Sequence, residues 1–274
     1  MRNSASKAML DIDACVLTHV GNVRTNNEDS VRLVRPNGEE VLASHGVLTV
    51  LADGMGGHEG GELASSLAVE ALTRAYYRAD AAPGDALEQA LREASLQIYA
   101  ASREDAALRG MGTTCVAAAI CEDQLWWAWV GDSRLYLLRD GQIYRLSEDH
   151  TVVHEMVQRG LLTEDEAFEH PDRSVLSRAL GSRAEVEPSA ADYPIQLNPG
   201  DRLLLCSDGL HDLMTDAEMA SLAVEPEVQV GAKALLQAAL DRGGFDNVSL
   251  ALLEVCIRTP GARPPVITRE FAIQ

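Results

Sequence analysis

The order of secondary-structure signals constrains this chain more than any other feature. Apolar runs that read as strands come in groups joined by tight turns, and amphipathic helices come in pairs between those groups. Ala14 to Val20 and Ser30 to Arg35 read as strands on either side of a polar stretch, with a turn at Pro36-Asn37-Gly38. Gly46 to Leu51 reads as a buried strand bounded by the turn-forming pair Asp53-Gly54. Leu63, Ala64, Leu67, Ala68, Ala71, Leu72, Ala75 and Tyr76 then recur at helical spacing. A second helix opens at Pro83-Gly84-Asp85, with Leu87, Ala90, Leu91, Ala94 and Ile98 on its buried face. Thr113 to Cys121 and Leu125 to Val130 predict a hairpin turning at Glu122-Asp123, and Leu135 to Arg139 and Gln142 to Leu146 predict another around Asp140-Gly141. Strands at Tyr193 to Leu197 and Arg202 to Cys206, helices over Asp216 to Val224 and Glu227 to Arg242, and a last strand over Val248 to Val255 complete the pattern. Hairpins segregated from helix pairs argue against an alternating parallel sheet. Two antiparallel sheets packed face to face, with a helix pair over each outer side, bury all these faces. The expectation is an α+β fold, a four-layer αββα sandwich.

A length of 274 residues allows one large domain or two small ones. Aromatics make up 4%, which leaves the core to Ala, Val and Leu. A net charge of −19 argues against nonspecific binding to nucleic acid or anionic membrane. Five cysteines, at positions 15, 115, 121, 206 and 256, form no Cys-x-x-Cys pair, and four lie in strand-like segments. Reduced core thiols of a cytoplasmic protein are expected. The N-terminal stretch lacks the apolar core of a signal peptide, and no run approaches the ~18 apolar residues of a membrane span. A cytoplasmic monomer without membrane or nucleic-acid partners is the expectation.

Four aspartates stand in short loop contexts scattered along the chain. Asp53 is followed by Gly54-Met55-Gly56-Gly57-His58, Asp132 lies in Gly131-Asp132-Ser133-Arg134, Asp208 in Ser207-Asp208-Gly209, and Asp246 in Gly244-Phe245-Asp246-Asn247. Three follow apolar runs, so their carboxylates would be held at the rim of a sheet. Carboxylates gathered there repel one another unless cations sit among them, and hard divalent ions choose carboxylate, carbonyl and water ligands. Two such ions about 3.5–4 Å apart suit phosphomonoester hydrolysis, because they acidify a water and screen the phosphate. Asp53 is the candidate bridge, with the Gly54 carbonyl at close range. Asp208 and Asp246 would cap one ion, and Glu28 and Asp29 would hold waters of the other. Arg24, in the same polar loop as Glu28, can grip two phosphate oxygens at once. Each piece alone has a plainer reading. Asp53-Gly54 is a common turn, Asp132 and Asp246 could cap turns, and Arg24 could form a surface ion pair with Glu28 or Asp29.

Taken in order, Gly21 to Asp29, Val50 to Glu62, Gly112-Thr113-Thr114, Gly131 to Arg134, Ser207 to Gly209 and Asp246 to Val248 resemble the metal-dependent protein Ser/Thr phosphatases of type 2C, the PPM family, in its bacterial branch. The resemblance spans roughly residues 13 to 257. It implies the αββα sandwich with a two-metal Mn²⁺ or Mg²⁺ centre at one end of the sheets, and hydrolysis of phosphoserine and phosphothreonine without a phosphoenzyme. By position, it implies that Asp53 bridges the ions, Gly54 offers its carbonyl, Asp208 and Asp246 complete one shell, and Arg24 binds phosphate. Asp132 resembles the residue that joins Asp208 around a third metal. Residues 1–257 would form a single phosphatase domain carrying a flap insertion at about 147–185, and 258–274 would be an exposed tail. His150 and His154 read as surface residues of that flap.

Animal relatives carry a His directly after the Asp-Gly pair; here Met55 stands there, and the nearest His is His58. His58 is a candidate general acid, or merely a cap of the glycine-rich turn. Phosphorylated proteins are the implied substrates, with a bacterial Ser/Thr kinase or its targets as natural partners. A catalytically silent phosphoprotein-binding regulator and a small-metabolite phosphatase are the alternatives. Loss of an acid would favour the silent binder, and none is lost.

Overall fold

Both faces of the central strands are apolar because both are covered. The computed structural model describes residues 10–56, 58–257 and 266–271, with side chains given except at 58, 59 and 266–271. The chain runs β1 (Leu10–His19), β2 (Asp29–Val34), α1 (Glu39–His45), β3 (Val47–Met55), α2 (His58–Arg78) and α3 (Pro83–Glu104). It continues through β4 (Gly112–Thr113), β5 (Cys115–Cys121), β6 (Gln124–Val130), β7 (Arg134–Arg139) and β8 (Gln142–Arg145). The stretch 147–185 holds α4 (Val152–Gln158) and α5 (Glu164–Phe168), and is followed by β9 (Ser189–Ala190), β10 (Ile195–Gln196) and β11 (Arg202–Cys206). Then come α6 (Asp208–His211), α7 (Asp216–Ala223), α8 (Val228–Asp241), β12 (Val248–Ile257) and β13 (Val266–Phe271).

One sheet has the order β13-β1-β12-β11-β7-β8; the other has β10-β6-β5-β3-β2, with β4 beside β3 and β9 beside β6. The pairing is antiparallel except where β13 runs parallel to β1. Side-chain alternation splits each strand between two cores. In β3, Val47 and Leu51 face the other sheet, while Leu48, Val50 and Ala52 face α2 and α3. In β12, Ala251, Leu253 and Val255 face the inter-sheet core, while Val248, Leu250 and Leu252 pack on α7 and α8. Three stacked cores make four layers, as the segregated order predicts. Alanines such as Ala64, Ala68, Ala90 and Ala94 line the α2–α3 layer and bring the helices close to the sheet.

Several local expectations needed correction. Asp53-Gly54 is not a turn: β3 runs on to Met55, with Asp53 paired to Asp29 and Gly54 to Thr113. No local pattern predicts α1, whose face contributes only the half-buried Leu42 to the core, nor the four-residue α6. The strand expected over 193–197 shrinks to Ile195–Gln196. Within the tail expected over 258–274, residues 266–271 form a strand that pairs with β1 from Ala14 to His19, and the rest of that stretch lies outside the described residues. His150 is not on the flap surface. It is 7% exposed and stacked on Trp129 at 5.9 Å, because its ring fills the gap between the flap stem and β6. The Asp140-Gly141 turn is as expected, with φ of 52° and 74° at its two residues.

Candidate metal centre

Register brings the scattered acids to one end of the sandwich. Asp29 at the start of β2 lies opposite Asp53 near the end of β3. On the facing sheet, β11 ends at Cys206, so Ser207 and Asp208 follow at the same end, and β12 begins at Val248 directly after Asp246-Asn247. β6 ends at Val130, which delivers Gly131-Asp132 there as well.

The backbone around these residues is heavily bonded. The Asp53 amide donates to Thr114 Oγ1 at 3.0 Å, and its carbonyl accepts from Thr114 N at 2.8 Å and Thr113 Oγ1 at 2.7 Å. Thr114 Oγ1 also meets Ser133 Oγ at 2.6 Å, which ties the Asp53 strand to the residue after Asp132. His211 Nε2 donates to the Asp132 carbonyl at 3.1 Å. Asn247 is the hub of the other side. Its Nδ2 donates to the carbonyls of Val20 and Asn26, both at 2.9 Å, and its Oδ1 accepts from Glu28 N at 2.8 Å. Glu28 in turn accepts from Gly54 N at 3.1 Å, and its carboxylate lies so close to Gly61 that a Cβ there would overlap it. Gly61 is therefore a requirement of Glu28's position.

The electrostatics are those of a site short of positive charge. Asp29 is 8% exposed; its Oδ2 accepts from Ser207 Oγ at 2.9 Å, while Oδ1 meets no donor among the described residues. Asp208 Oδ1 is likewise buried without a donor. Burial, with the charges of neighbouring acids such as Asp246 added, pushes the carboxyls of Asp29 and Asp208 up to about 6. Asp53 and Asp132 are held well above the carboxylate range, first by burial and then by the other aspartates of the group. By surface area Asp53 and Asp208 retain some exposure, so the pit is open at its mouth and desolvated at its floor. Among the described residues no three His, Cys, Asp or Glu side chains are drawn close enough to hold a metal ion as they stand. The acids still act on one another's charge. Buried carboxylate oxygens without a donor, set among other carboxylates, fit a divalent cation, which would supply the missing charge.

Arg24 is 54% exposed and donates from its NH2 nitrogen to Asp246 Oδ2 at 2.8 Å, rather than pairing with Glu28 or Asp29. Asp246 Oδ1 accepts from Asn247 N at 2.8 Å. The structure thus brings Arg24, Glu28, Asp29, Asp53, Asp132, Asp208 and Asp246 to one end of the fold. The His58 side chain lies outside the described residues. Sequence reasoning overlooked Asn247, Ser207, Thr114, His211 and Gly61. Asn247, Ser207, Thr114 and Gly61 all lie inside the stretches that carry the resemblance, and the signal at Asn247 and Ser207 was a polar residue beside an acid at a strand end.

With that geometry in place, comparison with known proteins is decisive. Residues 22–242 match the protein phosphatase 2C family. The chain belongs to that family. It is 40% identical over 250 residues to the serine/threonine protein phosphatase PstP of Mycobacterium tuberculosis, covering 90% of this chain and 46% of PstP. The chain therefore spans about half the length of that relative. The serine/threonine phosphatase stp of Listeria innocua is 35% identical over 243 residues, 86% of this chain and 93% of its own. The crystal structure of the catalytic domain of PstP in complex with two manganese ions superposes with a TM-score of 0.77 at 36% identity, covering 90% of this chain and 99% of that domain. No helix among the described residues is long and apolar enough to cross a membrane.

Proposed function

We propose that this chain hydrolyses phosphoserine and phosphothreonine in proteins at a binuclear Mn²⁺ or Mg²⁺ centre, reversing the work of a Ser/Thr kinase. The observation that carries the reading is the gathering of buried aspartates with unpaired oxygens at the strand ends, beside one exposed arginine. Residues 1–257 form the phosphatase domain in this reading, and about 147–185 its flap. Asp53 would lie between two ions, with the Gly54 carbonyl, Asp208 and Asp246 serving one and Glu28 and Asp29 holding waters of the other. Asp132 with Asp208 would take a third. When bound, such ions acidify a water and screen the phosphate charge.

The chain's own groups do the rest. Arg24, already pointed at the pit by Asp246, would bind phosphate oxygens and orient the ester. The Thr114–Ser133 link would keep Asp53 and Asp132 at fixed separation. His58, the first residue of α2, would protonate the leaving serine or threonine oxygen. His58→Gln should then slow a phosphothreonine peptide more than p-nitrophenyl phosphate, whose leaving group needs no proton. Complete carboxylates speak against a silent binder.

The test is Mn²⁺-dependent phosphate release from phosphothreonine peptides, with Asp208→Ala as control. Release that persists in the variant or in excess chelator would sink the reading. Binding of the peptide without turnover would favour the regulator, and turnover of small phosphate esters alone would favour the metabolite enzyme.

A further inference from the structure

The chain has three phenylalanines, and the two whose side chains are described lie on the surface: Phe168 is 77% and Phe245 63% exposed. Both sit beside the acidic pit. Phe168 lines the cleft between the flap and the α6–α7 segment together with Asp132 and His211. Phe245 immediately precedes Asp246. Exposed large apolar groups gathered at one place mark contact surfaces more often than isolated ones do.

Phe245 has an apolar companion. Segments 22–24 and 244–246 run side by side, joined by Asn22 N to the Gly244 carbonyl at 2.7 Å and by Arg24 to Asp246 at 2.8 Å. These two links bracket Val23, 62% exposed, and Phe245. The loops cannot slide, because Asn22 Nδ2 also donates to the carbonyls of Leu240 at 2.8 Å and Gly243 at 3.2 Å. The Phe245 ring lies against the α-carbon of Gly243, which has φ +121° and where a Cβ would collide with the ring. The aromatic is therefore propped in place, and a propped side chain forfeits little freedom when something docks on it.

We propose that Val23 and Phe245 form a shelf that receives an apolar side chain of the substrate within two residues of its phosphorylated residue. The proposal rests on the phosphatase reading and deepens it. Val23 and Phe245 each precede a residue of the Arg24–Asp246 pair, so the shelf adjoins the phosphate grip along both loops. An extended peptide advances about 3.3–3.6 Å per residue, which puts the first or second neighbour of the phosphoresidue over the shelf. Charge selects the same occupant. Glu28, Asp208 and Asp246 all act on Arg24 here, so an acidic neighbour in the substrate would be repelled and an uncharged apolar one would not.

The experiment measures kcat/KM for a set of phosphothreonine peptides on the Mn²⁺-loaded protein. The peptides differ only in carrying Leu, Ser or Glu at one of the two positions on either side. Leu should exceed Ser by about tenfold at one of these positions, through KM, with Glu lowest. In the Val23→Ser/Phe245→Ser double variant the Leu-to-Ser ratio should fall close to one, and Phe245→Leu should keep most of it. Using the ratio cancels any change that the neighbouring Asp246 suffers, since both peptides feel it equally. A ratio unaltered in the double variant, or a wild-type preference for Ser or Glu, overturns the shelf while the phosphatase reading stands. No hydrolysis of any peptide overturns both.

Discussion

Asp132 and Asp149 are close enough to act on each other and are buried to a similar degree, yet they behave oppositely. Asp149 accepts from Arg134 at 3.1 Å to Nε and 2.7 Å to NH2, and Arg145 joins from the other side. Burial pushes its carboxyl up, but the two arginines outweigh burial and hold it below the ordinary range. Asp132 is buried beside Asp208, Asp149 and Asp212, and its carboxyl is held well above that range. The difference is the guanidinium fork, not the burial. Arg139 grips Asp201 with the same two-pronged geometry, at 2.9 and 2.6 Å. Acids that hold the fold together come with an arginine. Those of the pit come with each other, and Arg24 reaches only the rim. A chain with 42 acids and 23 bases still leaves this one cluster unneutralised, which argues that a cation from solution belongs there.

The comparison breaks most decisively at Asp53. Asp53→Asn should lower kcat for p-nitrophenyl phosphate by about 10³-fold or more, with circular dichroism unchanged. Activity within tenfold of wild type would mean that the pit acids are as structural as Asp149. The converse test is Arg134→Ala, which strands a buried carboxylate that then has only Arg145. Chemical unfolding should show a loss of about 3 kcal/mol. A loss under about 1 kcal/mol would mean that the fork does not set the difference between the two acids.

Much of this contrast could be read before the structure. Asp53, Asp208 and Asp246 were legible because each lies beside an apolar run, and strand ends in a sandwich gather at its poles. The four layers were legible because hairpins and helix pairs were segregated. What stayed hidden was tertiary. Whether Arg24 pairs with Glu28 or with Asp246, 222 residues away, depends on register between two loops, which no local pattern encodes. His150 looked like any charged-loop histidine, and contacts distant in sequence, with Trp129, Gly131 and Ser189, make it a core residue. α1 and α6 are too short, at 7 and 4 residues, to show a period.

The two classes of acid also predict a pH signature for the metal-free chain. Asp29 and Asp208 keep their protons to about pH 6 when folded, but only to about pH 4 when unfolded. Between those values the folded state binds more protons. Stability from these groups is full below about pH 4 and is lost as pH rises through about 6. His150, pushed down to about 4 by burial, works the other way, losing stability as pH falls from about 6.5 through 4. Urea unfolding in chelator should therefore compare wild type with an Asp29→Asn/Asp208→Asn double variant, in which the share of His150 cancels. Parallel pH profiles for the two proteins would show that the pit acids are not strained.

The smallest effect carries the sharpest sign. Asp29→Asn keeps an oxygen to accept from Ser207 Oγ and removes a buried charge among like charges. Without metal at pH 7 the variant should be more stable than wild type by about 1 kcal/mol. With saturating Mn²⁺ the order should reverse, because wild type gains RT ln(1 + [L]/Kd) from an ion that the variant holds less well. No variant at Asp149 can show that crossing, since its counter-charge is covalently part of the chain. If Asp29→Asn is destabilising in chelator and in Mn²⁺ alike, Asp29 belongs with Asp149 after all, and the cation that the pit lacks is not a divalent metal.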